Sequence, residues 1–300
     1  MTHCRMTLLP DRGVVEVEGP DATEFLQGLV TNDVEPENPN EAIFAALLTP
    51  QGKILFDFFI VRRGAETYWL DCAKMQTGDL IKRLSMYKLR AKVTITDRSE
   101  GLMLAASWGD CAAVADAAVL AAYPDPRYAP LGTRLIVKRG AAAHLAARLG
   151  AGQAGEGAYA SHRIALAIPQ GGLDYVYGEA FPHEAAFDEL HGVDFEKGCY
   201  VGQEVVSRMH HLGTVKTRIA GVELAEPPTA AGPAAGSEIL AGDMPAGRLG
   251  SLDGTRGIAI IRLDRAGEAL SHGTALRAGG VTLTLRQPPW AKYQVPGTGA

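Results

Sequence analysis

The spacing of apolar residues changes character along this 300-residue chain, and that change limits what it can fold into. In the first half, segments of period two alternate with segments of period 3.6. Residues 14–18, 43–48, 54–61, 67–71, 92–96, 102–107 and 133–138 read as strands, and 22–29, 77–89, 111–122 and 141–149 as helices. Strand pairs followed by a helix, without repeated strand–helix–strand crossovers, predict an α+β layer. Helices are also expected over 158–166 and 203–209. Residues 226–236, rich in Pro, Ala and Gly, mark a linker or long loop. Beyond them the pattern becomes all-β, with short strands at 238–240, 247–252, 257–261, 274–276 and 281–285 between glycine turns, as in a small barrel or sandwich.

Local signals refine this reading. Asp21 is placed as an N-cap, with Glu24 three residues on completing a capping-box pattern. Lys88 and Arg90 suit the negative end of the 77–89 helix. The run Gly150 to Gly155 has the letters G-x-G-x-x-G, but a helix precedes it where a dinucleotide site needs a strand, so it reads as a connector. With 29 basic and 34 acidic residues the chain carries a net charge of −5, which argues against a broad nucleic-acid surface. The basic group Lys82, Arg83, Lys88, Arg90 and Lys92 reads as a solvated helix face and strand edge. The cysteines at 4, 72, 111 and 199 form no C-x-x-C pair. They predict neither a disulfide framework nor a zinc site, and a reducing compartment is the simplest setting. No apolar run near the start resembles a signal peptide, and none is long enough to suggest a membrane helix.

The stretch Lys197-Gly198-Cys199-Tyr200-Val201-Gly202-Gln203-Glu204 is chemically the richest. Residues 192–195 alternate like a short strand, and Gly198 and Gly202 allow a tight turn before the 203–209 helix. Cys199 would then lie near a helix N-terminus with the Lys197 ammonium nearby, a setting that favours a thiolate. A buried, inert cysteine in a turn is the other reading of the same residues.

This eight-residue run resembles the signature of the YgfZ family, folate-binding proteins linked to iron–sulfur cluster maintenance and relatives of the glycine-cleavage T-protein, an aminomethyltransferase. Residues 19–34, 48–54, 87–93, 125–127, 131–134 and Arg163-Ile164 leading to Gly171 are also similar to the family. The resemblance implies a T-protein-like three-domain ring, with ferredoxin-like α+β parts at the N-terminal side and a C-terminal β-barrel. Its parts would be a folate-binding α+β domain of 1–45 plus 150–213, an inserted α+β domain of 46–149 and a barrel of 214–300. It implies tetrahydrofolate as cofactor, with Glu184 at the place of a pterin-binding carboxylate and Arg163 and Arg208 available for the folate tail. Cys199 is the expected reactive thiolate, Lys197 lowers its pKa or orients its partner, and Gln203 and Glu204 hold the turn or line the pocket. In the T-protein relatives a pair of aspartates follows a similar glycine turn. Here the pair is Phe56-Asp57, so only Asp57 remains, and aminomethyl transfer becomes the alternative activity. The expected partners are iron–sulfur carriers or client proteins, with neither direct nucleic-acid nor membrane binding. Any tie to tRNA thiolation would run indirectly, through an iron–sulfur enzyme. The bacterial cytoplasm or the mitochondrial matrix is the implied compartment.

Overall fold

The computed structural model describes residues 3–35, 41–213, 215–230 and 232–299. Contacts divide the chain into two units. Met1–Pro50, Leu55–Tyr159 and Leu190–Gln203 form the first, and Gln51–Ile54, Ala160–Glu189 and Glu204–Ala300 the second.

The first unit is built from β1 (Arg5–Leu9), β2 (Arg12–Glu18), α1 (Ala22–Gln27), β3 (Ala42–Leu48), β4 (Ile54–Arg62), β5 (Thr67–Ala73), α2 (Thr77–Lys88), β6 (Thr94–Asp97), β7 (Leu102–Trp108), β8 (Val119–Pro124), β9 (Thr133–Lys138), α3 (Leu145–Arg148), β10 (Gly152–Gln153) and the start of α4 (Glu156–Ala165). The strands form two five-stranded sheets, ordered β3-β4-β5-β2-β6 and β10-β1-β7-β9-β8. Alternation sorts the first sheet into two faces. Val15, Val17, Phe56, Phe58, Leu70 and Cys72 turn toward a core cluster shared with Leu26 of α1 and with Leu80 and Leu84 of α2.

The intervening residues build a buried charged layer. Arg12 Nε donates to Asp71 Oδ1 at 2.7 Å, and Arg134 Nη2 donates to Asp71 Oδ2 at 2.6 Å. The Tyr123 hydroxyl donates to that same oxygen at 2.9 Å. Arg127 makes a two-pronged contact with Asp125, and the guanidinium groups of Arg12, Arg127 and Arg134 all stack against the ring of Phe59. Buried charge of this kind is tolerable only when the carboxylates and guanidiniums match in geometry. Burial alone would raise the pKa of Asp71, but Arg12 and Arg134 hold it below the ordinary carboxylate range.

Several local expectations change. Residues 111–122 form no helix. A loop with Asp116 accepting from Ala118 N leads into β8, which pairs with β9. Alanine's helix propensity is worth only tenths of a kcal/mol per residue and yields to a sheet ladder. Cys4 and Cys111 are joined in a disulfide, contrary to the expectation of unpaired thiols. The β1–β7 register pairs Arg5 with Trp108, and a bridge links His3 to Asp110, so the fold brings the two cysteines side by side. Asp21 does not cap its own helix, because its carboxylate accepts from Lys92 N. The expected 141–149 helix is a 3₁₀ turn, Arg139–His144, followed by the single turn of α3. The glycine connector contains β10, which pairs in parallel with β1.

The second unit holds the rest of α4, the loop region up to residue 189, α5 (Gln203–Leu212) from Glu204 on, β11 (Thr217–Leu224), β12 (Glu238–Ala241), β13 (Met244–Asp253), β14 (Arg256–Arg262), α6 (Leu263–Ser271), β15 (Leu276–Ala278) and β16 (Val281–Arg286). Its six strands close into a barrel in the order β11-β14-β13-β12-β15-β16. Every second residue points inside, for example Ala220, Val222 and Leu224 of β11 and Leu283 and Leu285 of β16. Helix α6 interrupts the expected all-β run and adds Ala266 to the barrel core. Its sign was Leu263, Ala266 and Leu270 at helical spacing. Residue 231 of the 226–236 loop lies outside the described residues. Among the described residues no helix is long and apolar enough to cross a membrane.

Candidate functional site

The Cys199 loop lies in the first unit and is fastened from its N-terminal side. Thr31 Oγ1 donates to Gly192 O at 2.6 Å, and Asp194 N donates to Thr31 O at 3.0 Å. Residues 192–195 are therefore not a strand. Asp194 Oδ1 accepts from the backbone N–H groups of Glu196 and Lys197, a local turn that competes with extension.

Lys197 is buried, and its Nζ donates to three carbonyl oxygens, those of Gln27 (2.9 Å), Val30 (2.8 Å) and Asn32 (2.8 Å). Those carbonyls lie at and beyond the C-terminal end of α1, where backbone oxygens lack helical partners and a cation is favoured. Burial draws the Lys197 pKa down to about 8, opposed by Asp33 and Asp194. The ammonium is thus committed to the backbone, and its geometry is that of an anchor instead of the thiol activator expected from spacing. Tyr200 is buried beside it, with Lys197 Nζ 5.4 Å from the ring centre, and Val201 packs against the core cluster below the first sheet. Between these inward residues Cys199 points out and is exposed.

Of the two glycines only Gly202 has a left-handed backbone, with φ 84°. Gly198 has ordinary backbone angles, and a Cβ placed on it would meet nothing within 4 Å, so the space next to the thiol is open. Helix α5 begins at Gln203, four residues past Cys199, so the cysteine precedes the first turn, where the helix dipole acts. Gln203 N donates to Tyr200 O at 3.3 Å and closes the turn. Glu204 and Arg208 pair with each other at 2.6 Å on the exposed side of α5.

Asp57 belongs to the first unit but to a different environment. It is buried on β4, on the face opposite Phe56 and Phe58, and its charge is felt by Arg12 in the layer between the sheets. Arg163, in the second unit, is also buried. Its Nη1 donates to Asp174 and to Ile168 O, both at 2.6 Å, and its Nη2 donates to Ser251 Oγ at 2.7 Å. Asp174 accepts in turn from the N–H groups of Gln170 and Ser251, so this pair fastens the 170–174 loop to β13. Arg163 is built in as a structural cation.

Glu184, also in the second unit, lines a cavity of about 210 Å3 with Leu173, Tyr175, Val176, Leu249 and Ile260. Its Oε2 accepts from Phe181 N at 3.0 Å, which orients the carboxylate. Asp174, Glu179 and Arg248 complete the charged part of the lining. Spacing had not marked Arg248, because β13 reaches the cavity only through the folding of the barrel.

Residues 10–121 match the model of the GCVT N-terminal domain, and residues 216–293 match that of the CAF17 C-terminal beta-barrel domain. The solved structure of glycine cleavage system aminomethyltransferase T from Bartonella henselae is similar with a TM-score of 0.74. The match covers 97% of this chain and 87% of that one at 17% identity, which establishes a shared fold. The class is therefore a GCVT-type α+β part combined with a CAF17-type barrel. Among curated proteins, the iron–sulfur cluster assembly factor IBA57, mitochondrial, of Mus musculus is 32% identical, over 94% of this chain and 84% of its own length. The Homo sapiens protein of that name is 31% identical with the same coverage. The Mycosarcoma maydis homolog is 34% identical over 72% of this chain, which spans only 56% of that longer relative. The chain belongs to the IBA57 family of iron–sulfur cluster assembly factors. The YgfZ signature thus pointed to a related family, whereas these relatives carry the IBA57 name.

Proposed function

We propose that this chain serves the assembly or repair of iron–sulfur clusters through the Cys199 loop, with tetrahydrofolate held at the Glu184 cavity. What supports the reading most is the construction of the loop: a buried lysine anchors it, and the free thiol two residues on faces outward. The cluster is the substrate. Cys72 is buried and Cys4 is joined to Cys111, so the thiolate on offer is that of Cys199. The other ligands of a cluster meeting it come from the donor or acceptor protein.

The cavity suits part of a folate. At about 210 Å3 it is smaller than the roughly 300–1,000 Å3 of sites for drug-sized ligands, so it takes a flat two-ring head and leaves the tail outside. Glu184 can accept N–H bonds from such a ring edge, while Leu173, Val176 and Leu249 pack its faces. Bound tetrahydrofolate would supply one-carbon or reducing chemistry. The partners are iron–sulfur carriers and clients, and an effect on tRNA thiolation would pass through an iron–sulfur enzyme. The relatives' names place those proteins in the mitochondrion, and the compartment of this chain is the mitochondrial matrix, or the cytoplasm in a bacterium.

The test is cluster delivery from a purified carrier to an apo-enzyme, with tetrahydrofolate binding followed by tryptophan fluorescence. Cys199→Ala should abolish delivery and leave folate binding intact, and Glu184→Gln should weaken folate binding at least tenfold. If Cys199→Ala delivers normally and Asp57→Asn instead abolishes one-carbon transfer from tetrahydrofolate to an amine, the chain is an aminomethyltransferase-like enzyme.

A further inference from the structure

The three most exposed large apolar side chains among the described residues are Met75 (93%), Leu89 (89%) and Met86 (64%). All three lie on one short stretch of chain centred on α2. Met75 lies just before α2, Met86 lies in its last turn, and Leu89 follows it directly. Asp79, Lys82 and Met86 fall at intervals of three or four residues and mark one stripe along α2, and Met75 and Leu89 stand at its two ends. The other side of α2 is already engaged, because Leu80 and Leu84 are buried in the core of the first unit.

Charge is concentrated on the same segment. Residues 74–92 hold six cations and one carboxylate in a chain whose net charge is −5. Lys82, Arg83, Lys88, Arg90 and Lys92 form no salt bridge within the described residues, whereas other cations such as Arg148, Arg218 and Arg262 do. A solvated face explains unpaired lysines but not methionines and a leucine among them. Leu89 stands out further, with φ 42° and ψ −102°, a left-handed conformation that glycine would adopt without strain.

We propose that the outer face of α2, from Met75 to Lys92, is a docking surface for an acidic protein segment that carries an apolar ridge. Met75, Met86 and Leu89 would seat against the ridge, and the flanking cations would meet its carboxylates. Methionine side chains adapt to the shape of a partner surface. The charge sign selects an acidic partner. Three separated apolar tips on a helix whose other face is buried provide too little area for insertion into a lipid surface. No exposed aromatic stands among them for stacking on bases. This surface is independent of the Cys199 reading and survives its failure.

The probe is a fluorescent helical peptide with glutamates on one face and leucines on the other, titrated into the intact 300-residue chain and followed by anisotropy. Controls are a peptide of equal charge with serine in place of leucine, a polyuridylate oligomer, and vesicles of phosphatidylcholine with phosphatidylserine. The Glu/Leu peptide should bind at least tenfold more tightly than the Glu/Ser peptide, and weaken as salt rises. Lys88→Glu with Arg90→Glu should weaken it at least tenfold, as should Met86→Ser with Leu89→Gly. The Leu89→Gly change relieves the left-handed strain, so the melting temperature should hold or rise while binding falls. Equal binding of the two peptides overturns the proposal, as does tighter binding of the RNA or the vesicles.

Discussion

Each cysteine has a distinct environment, and this makes their chemistry separable. Cys199 is exposed, Cys72 is buried with its thiol pushed up to about 12 by burial, and Cys4 and Cys111 are bonded. Alkylation of the native, unreduced protein with iodoacetamide should therefore modify one site per chain, Cys199. Two more should label after reduction, and Cys72 only on unfolding. Rapid native labelling of Cys72 would contradict this placement. Lys197 gives a second prediction at this scale. Its folded pKa of about 8 lies below the 10.5 of a free lysine, so the unfolded chain binds more protons between these values. Stability from this group therefore rises with pH from about 8 to 10.5. In Lys197→Met that rise should vanish from urea-denaturation curves taken across the window, and the baseline stability should fall because three carbonyls lose their donor. A slope unchanged by the substitution would show that Lys197 titrates as an exposed lysine. The chemistry of the Cys199 run was legible because its residue types are unusual together. The role of Lys197 was not, because its carbonyl partners lie more than 160 residues away in sequence.

At the scale of elements, strands and amphipathic helices with clear periods were legible, among them β4, α2 and five of the six barrel strands, whereas β11 went unread. The failures have a common cause. Residues 111–122 carry strong local helix propensity, yet β9 offers Val119 to Pro124 a ladder, and nonlocal pairing overrides local preference. Asp21 failed as a cap for the same reason, since Lys92 N, 71 residues away, competes for its carboxylate. Gly132 shows how tightly β9 is led into that sheet. Its φ is 87°, and a Cβ there would stand 2.1 Å from Ser107 O. Gly132→Ala should cost at least about 2–3 kcal/mol, measured by chemical denaturation, because backbone strain and a backbone clash combine. A loss under about 0.5 kcal/mol would mean that the β7–β9 connection relaxes easily.

At the scale of the whole molecule, both units hold buried charge, Arg163 with Asp174 in the second and the layer around Asp71 in the first, and pH separates such buried pairs from exposed ones. The barrel core is apolar, and its best-paired surface carboxylate, Asp264, is exposed. Arg262 holds the Asp264 pKa well below the ordinary range, but solvent screens such a pair. The first unit depends on the charged layer centred on Asp71, which lies inside an otherwise apolar strand and whose partners no spacing could name. Asp71→Asn would take from the buried Arg12 and Arg134 their nearest counter-charge, which at pH 7 should cost about 3–5 kcal/mol. For a domain of ordinary stability, about 5–15 kcal/mol, that is a large share. Because the folded pKa of Asp71 is depressed, its contribution is fully present above the unfolded value and is lost as pH falls through the folded one. The difference between wild type and Asp71→Asn should thus shrink in strong acid, while Asp264→Asn should change little at any pH. Urea titrations at pH 7 and in strong acid test both. A gap that stays constant into strong acid would mean that packing, not charge, accounts for the loss.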